Sequence, residues 1–88
     1  MVEISEFFRR EAALTPETIQ ILAAALDEAW ERLRQSGSRL VRPAYSRAMR
    51  EVVAKRIIEM AQRGARDSET LVEDAVRFVT TNYERPRN

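Results

Sequence analysis

The chain has 88 residues, 15 basic and 14 acidic side chains, a formal net charge of +1, and neither cysteine nor histidine. A length of this order corresponds to one domain close to the lower limit for a self-sufficient core. The missing residue types remove disulfides, thiolate and imidazole metal ligands and the commonest nucleophile–base pairs, so neither an enzyme nor a cofactor is expected.

Near-balanced charge predicts no strong overall attraction to nucleic acid or anionic lipid. The distribution is uneven, however: residues 37–66 hold eight basic side chains against two carboxylates, for a net +6. The segments on either side, residues 15–36 and 67–83, carry −2 and −3. No apolar run approaches the roughly 18 to 20 residues of a membrane span, and the opening MVEISEFFRR lacks the basic-then-apolar order of a signal peptide. A cytoplasmic protein without membrane contact is expected.

Residues 1–14 place Ile4, Phe7 and Phe8 among charges, with Glu6 four residues before Arg10, and predict a short N-terminal helix or arm. Adjacent Phe7 and Phe8 cannot share one direction on a helix, so either the segment packs on its own domain or one Phe is left exposed or docked on another chain. The Leu14-Thr15-Pro16-Glu17 sequence is a helix start: Thr15 caps, Pro16 fits the first position, and Glu17 faces the positive helix end. The spacing then predicts a helix over 16–35 that buries Ile19, Leu22, Leu26 and Trp30.

Gly37 supplies the left-handed stop. A second helix is expected over 44–63, begun by Pro43 or capped by Ser46. Val53, Ile57 and Met60 are its core residues, and Ala54 and Ile58 widen its apolar surface beyond what one neighbour covers, which predicts a central position in the bundle. Arg56 lies within this apolar stripe, so its guanidinium either reaches solvent or meets an acid of another helix or subunit. Glu51 with Lys55, and Glu59 with Arg63, have the favourable order for ion pairs at a spacing of four.

Gly64 ends this helix and Asp67 caps the next, expected over 68–82. Leu71, Val72, Ala75, Phe78, Val79 and Tyr83 form its buried face, and Glu73 pairs with Arg77. Residues 84–88 are expected to fray around Pro86.

The run AKRIIEMAQRGARDSETLVEDAV resembles a group of small helical proteins of alphaproteobacteria, in which a helix with a paired aliphatic step ends at Gly and a short acid-capped helix follows. The matching residues are Ala54, Ile57, Ile58, Ala61, Gly64, Asp67, Leu71 and Ala75, and the resemblance covers residues 52–79. It implies a bacterial, all-α protein and carries no activity with it.

The expected architecture is therefore all-α: one domain spanning residues 1–88, a three-helix bundle preceded by a short helix or arm. Small size, a wide apolar surface and Phe7-Phe8 together predict a protein-interaction domain that self-associates as a homodimer, with an unidentified protein partner second. The candidate interface comprises Phe7, Phe8, Met49, Val52, Arg56 and Ile58. Non-specific nucleic-acid binding through residues 39–66 is the alternative, carried by Arg39, Arg42, Arg47, Arg50 and Lys55. A helix, a Gly-containing turn and another helix also match the helix-turn-helix layout, but Glu69, Glu73 and Asp74 would set negative charge against the phosphates.

Overall fold

The computed structural model describes residues 15–84. Within them the chain forms three α-helices: α1, Pro16–Gln35; α2, Pro43–Gln62; and α3, Ser68–Val79. A single 3₁₀ turn, Arg39–Val41, joins α1 to α2, and a π-helical turn, Thr80–Glu84, extends α3. The architecture is an all-α three-helix bundle. The expected arm over residues 1–14, including the Glu6–Arg10 pair, and the tail after Glu84 lie outside the described residues.

Local chemistry places the helix ends. Thr15 Oγ1 accepts the Thr18 N–H at 3.2 Å, and Pro16 takes the first position of α1. The exit closes in a Schellman motif, with Ser38 N–H donating to the Leu33 carbonyl at 3.0 Å and Gly37 at φ +77°. Ser38 Oγ then accepts the Leu40 N–H at 3.1 Å and tucks Leu40 under the turn. α2 begins at Pro43, not at Ala44, and Ser46 does not cap it: Arg42 holds the N-cap position with no side-chain hydrogen bond. Proline's fixed φ and missing N–H suit it to the first helical position, so the helix starts there without a capping side chain.

A second Schellman motif ends α2, with Ala65 N–H donating to the Met60 carbonyl at 3.1 Å and Gly64 at φ +107°. Arg66 Nη1 also donates to the Ala61 carbonyl of the same turn, which accepts the Gly64 N–H at 3.0 Å. Asp67 Oδ2 accepts both the Thr70 N–H and the Thr70 hydroxyl at 3.0 Å and starts α3. Regular α geometry stops at Val79, three residues short of expectation. There the Thr80 hydroxyl donates to the Val76 carbonyl at 2.9 Å and the Asn82 amide to the Phe78 carbonyl at 2.7 Å. Side-chain donors thus share the last carbonyls of α3 with the backbone where the ladder passes into the wider π turn. Glu84, expected to fray, instead accepts the Arg39 N–H at 3.2 Å.

The core contains Ile19, Leu22, Leu26, Val53, Ile57, Leu71, Val72, Ala75 and Val79 as expected, together with Ala25, Ala29, Leu33, Leu40, Ala54, Ile58 and Ala61. Trp30, Met60 and Phe78 are corrections: each packs against the core from its margin and stays partly exposed. The centre of α1 is taken by fully buried Ala25 and Ala29, and the large Trp30 and Phe78 rings stand at the margin. The expected central role of α2 also needs correction. All three helices touch one another, and the α1–α3 packing is the most extensive.

One interhelical ion pair spans each of the three contacts. Asp27 of α1 meets Arg50 of α2 at 3.4 Å, both carboxylate oxygens of Glu69 of α3 accept from Arg32 Nη2 of α1 at 3.1 Å, and Asp74 of α3 meets Arg56 of α2 at 2.8 Å. The basic middle segment is in part neutralised by its acidic neighbours. Of the local pairs, Glu59–Arg63 forms at 3.8 Å, while Glu51–Lys55 and Glu73–Arg77 do not close to within 4 Å.

Candidate functional site: a groove between α2 and α3

The apolar surface of α2 divides in two. Val53, Ala54, Ile57, Ile58 and Ala61 enter the core, whereas Tyr45, Met49 and Val52 follow a neighbouring stripe at spacings of four and three, in which Tyr45 is exposed and Met49 and Val52 stand half-buried at the margin of the core. Opposite this stripe stand Phe78 of α3 and Tyr83 of the π turn, their rings edge-on at 6.4 Å between centroids.

Two neighbouring depressions result, with Tyr83 lining both. One, of about 430 Å³, is lined by Val52, Lys55, Arg56, Ile58, Glu59, Gln62, Phe78 and Tyr83. The other, of about 290 Å³, is lined by Arg39, Leu40, Tyr45, Met49 and Tyr83, so Tyr83 forms the ridge between them. Tyr45 and Tyr83, at 50% and 44% exposure, are the most exposed large hydrophobic side chains of the described residues, and both border this groove.

Arg56 is the fixed point of the groove. Its Nε and Nη2 bind the two oxygens of Asp74 at 2.8 and 3.1 Å, its Nη1 reaches Glu59 at 3.1 Å, and its guanidinium carbon lies 4.6 Å from the centre of the Phe78 ring. These bonds, with Asp74 first, push its pKa above the ordinary arginine value against the opposing effect of burial. An arginine amid apolar residues thus has its acid partner on another helix of the same chain, and no subunit boundary is needed to explain it.

The expected interface residues therefore separate. Met49, Val52 and Arg56 share the groove wall. Ile58 is a correction: at 6% exposure it belongs to the core and contributes only the groove floor. Phe7 and Phe8 lie outside the described residues. Tyr45 was missed, although its place in the Tyr45, Met49, Val52, Arg56 series, at spacings of four, three and four, is a helical stripe about 100° from the buried Val53–Ile57 one. Tyr83 was expected in the core, but the π turn carries it to the surface.

The basic residues do not assemble into one face. Arg39 borders the smaller depression and Lys55 the larger. Arg50 turns inward to Asp27 and stacks on Trp30 at 5.2 Å, and Arg47 stands about 160° around α2 from Tyr45. Among the described residues, no group of three or more acidic side chains is placed to hold a metal ion, and no helix is long and apolar enough to cross a membrane.

These features define a small all-α bundle bearing one aromatic-lined groove. No family model matches the chain, and no curated protein or solved structure is detectably similar to it. The alphaproteobacterial resemblance over residues 52–79 stays an expectation.

Proposed function

We infer that the chain is a non-enzymatic protein-interaction domain that self-associates through the α2–α3 groove. The observation that carries this reading is the stripe of exposed Tyr45 and half-buried Met49 and Val52 facing Phe78 and Tyr83, apolar surface at the margin of the core that is only partly covered. Tyrosine is well suited to such a surface, because its ring buries a large area with little loss of side-chain freedom and its hydroxyl stays hydrated at the rim. A non-enzymatic role agrees with the chemistry of the lining: Arg56 is held by two carboxylates, and the remaining ionisable groups include no nucleophile paired with a base.

Light scattering and sedimentation across about 1 to 100 μM test the reading. A dimer that dissociates on dilution is expected, and Val52→Glu, which sets a charge on the half-buried groove wall, shifts the midpoint to at least tenfold higher concentration without loss of helical signal. A monomer throughout this range refutes self-association.

A further inference from the structure

The groove presents apolar surface and two cations, Arg39 and Lys55, with no ion-pair partner among the described residues, and the same chain carries a segment of opposite character outside the three helices. Residues 1–14 hold Ile4, Phe7 and Phe8 together with Glu3, Glu6 and Glu11. We propose that in the self-associated protein residues 1–14 of one copy fill the α2–α3 groove of the other, with Phe7 and Phe8 against Val52 and Phe78 and the carboxylates directed to Lys55 and Arg39. The proposal rests on the self-association reading and names the segment that accomplishes it.

Charge complementarity selects this occupant. Among the described residues six basic side chains, Arg39, Arg42, Arg47, Lys55, Arg66 and Arg77, have no carboxylate within 4 Å of their charged groups, and of these Arg39 and Lys55 line the groove. Residues 1–14 carry net charge −1 from three carboxylates and two arginines, against +6 for residues 37–66. A direct meeting of two α2–α3 faces would bring the Arg39 and Lys55 side chains of both copies together without new acids. Exchange of the segment places glutamates beside them instead.

Reach and symmetry agree. Phe7 lies eight residues before Thr15, an extended span of up to about 26 to 29 Å, comparable with the 28 Å and 21 Å shorter axes of the molecule, so a segment leaving Thr15 can arrive at a groove on a copy packed alongside. Reciprocal exchange fills both grooves around a two-fold axis and leaves no open end to extend into filaments. Phe78 is already ordered by Arg56 stacked 4.6 Å from its ring centre, so the groove wall is formed before the segment arrives and association orders only the incoming side chains.

The test uses the full chain. Isotopically heavy protein with Phe8→p-benzoylphenylalanine is mixed with light wild-type protein, irradiated and mapped by mass spectrometry. Heavy-to-light cross-links from position 8 to the peptides containing Val52 or Phe78 are expected, and Phe7→Ser with Phe8→Ser raises the dimer dissociation constant at least tenfold while α-helical circular dichroism is retained. Cross-links confined to heavy–heavy pairs at every mixing ratio, which report a segment lying on its own copy, overturn the exchange. A dimer of wild-type strength in the double serine variant overturns the role of the segment and leaves self-association through the groove standing. A wild-type monomer at all concentrations removes both.

Discussion

Replacing Asp74 by alanine removes both hydrogen bonds that fix Arg56 across the α2–α3 contact, at 2.8 and 3.1 Å. Exposed ion pairs contribute about 0.2–1 kcal/mol, whereas breaking a fully buried one costs about 3–5 kcal/mol. The side chains of Arg56 and Asp74 are each 20% exposed, and Glu59 remains at 3.1 Å as a second partner. These considerations place the expected loss between the limits, at about 2 kcal/mol for Asp74→Ala. In a domain of this size that lowers Tm by about 8 to 16 °C. A double-mutant cycle with Arg56→Met, whose unbranched chain still covers Phe78, isolates the pair, and a coupling of about 1 to 1.5 kcal/mol is expected from denaturant titrations. Because the pair is mostly shielded, about 0.5 M NaCl should leave more than half of that coupling in place. A coupling under about 0.3 kcal/mol at low salt, or one abolished by salt, would show that the pair behaves as an ordinary surface contact and refute the reasoning.

Three further predictions concern local elements. Gly64→Ala is expected to cost about 1–2 kcal/mol and more than Gly37→Ala. Open space surrounds both positions, but φ of +107° lies further from the left-handed basin than +77°; equal midpoints in urea would contradict this. The two caps give opposite signs: Asp67→Ala loses two hydrogen bonds and about 1 kcal/mol, while Arg42→Asp supplies the cap that α2 lacks and raises stability by about 0.5–1 kcal/mol. Thermal melts of the two variants decide both signs. Bonds from Arg34 hold the Glu31 carboxyl below the ordinary carboxylate range. A lowered folded-state pKa means that the contribution is present above the unfolded value, about pH 4.3, and disappears as pH falls through the lower folded value. The stability difference between wild type and Glu31→Gln should therefore be flat above about pH 5 and shrink below pH 4; a difference that grows on acidification would invert the sign.

Much of the secondary structure was legible from residues a few positions apart. Thr15 and Pro16, the two glycines, Asp67 and the three-and-four spacing of Ile19, Leu22 and Leu26 act within one or two helical turns. The late correction at Val79 shows the limit of that locality: Thr80 and Asn82 are ordinary surface residues until their side chains bond back to carbonyls of the preceding turn. The candidate site was less legible. Met49 and Val52 were found as part of an over-wide apolar surface, but Ile58 was assigned outward and Tyr83 inward, the reverse of where each stands.

The sequence by itself determined the all-α class, the order of the three helices, both glycine stops and the caps of α1 and α3, because these depend on backbone sterics and hydrogen bonds between near neighbours. Only the tertiary structure decided which side of a broad apolar helix is core, that the partner of Arg56 is Asp74 eighteen residues away, and that two tyrosines border a common groove. Those outcomes depend on how α2 and α3 pack against α1. Periodicity assigns a residue to a face of its own helix, but the close approach allowed by small side chains such as Ala25, Ala29, Ala54, Ala61 and Ala75 sets which part of that face another helix covers.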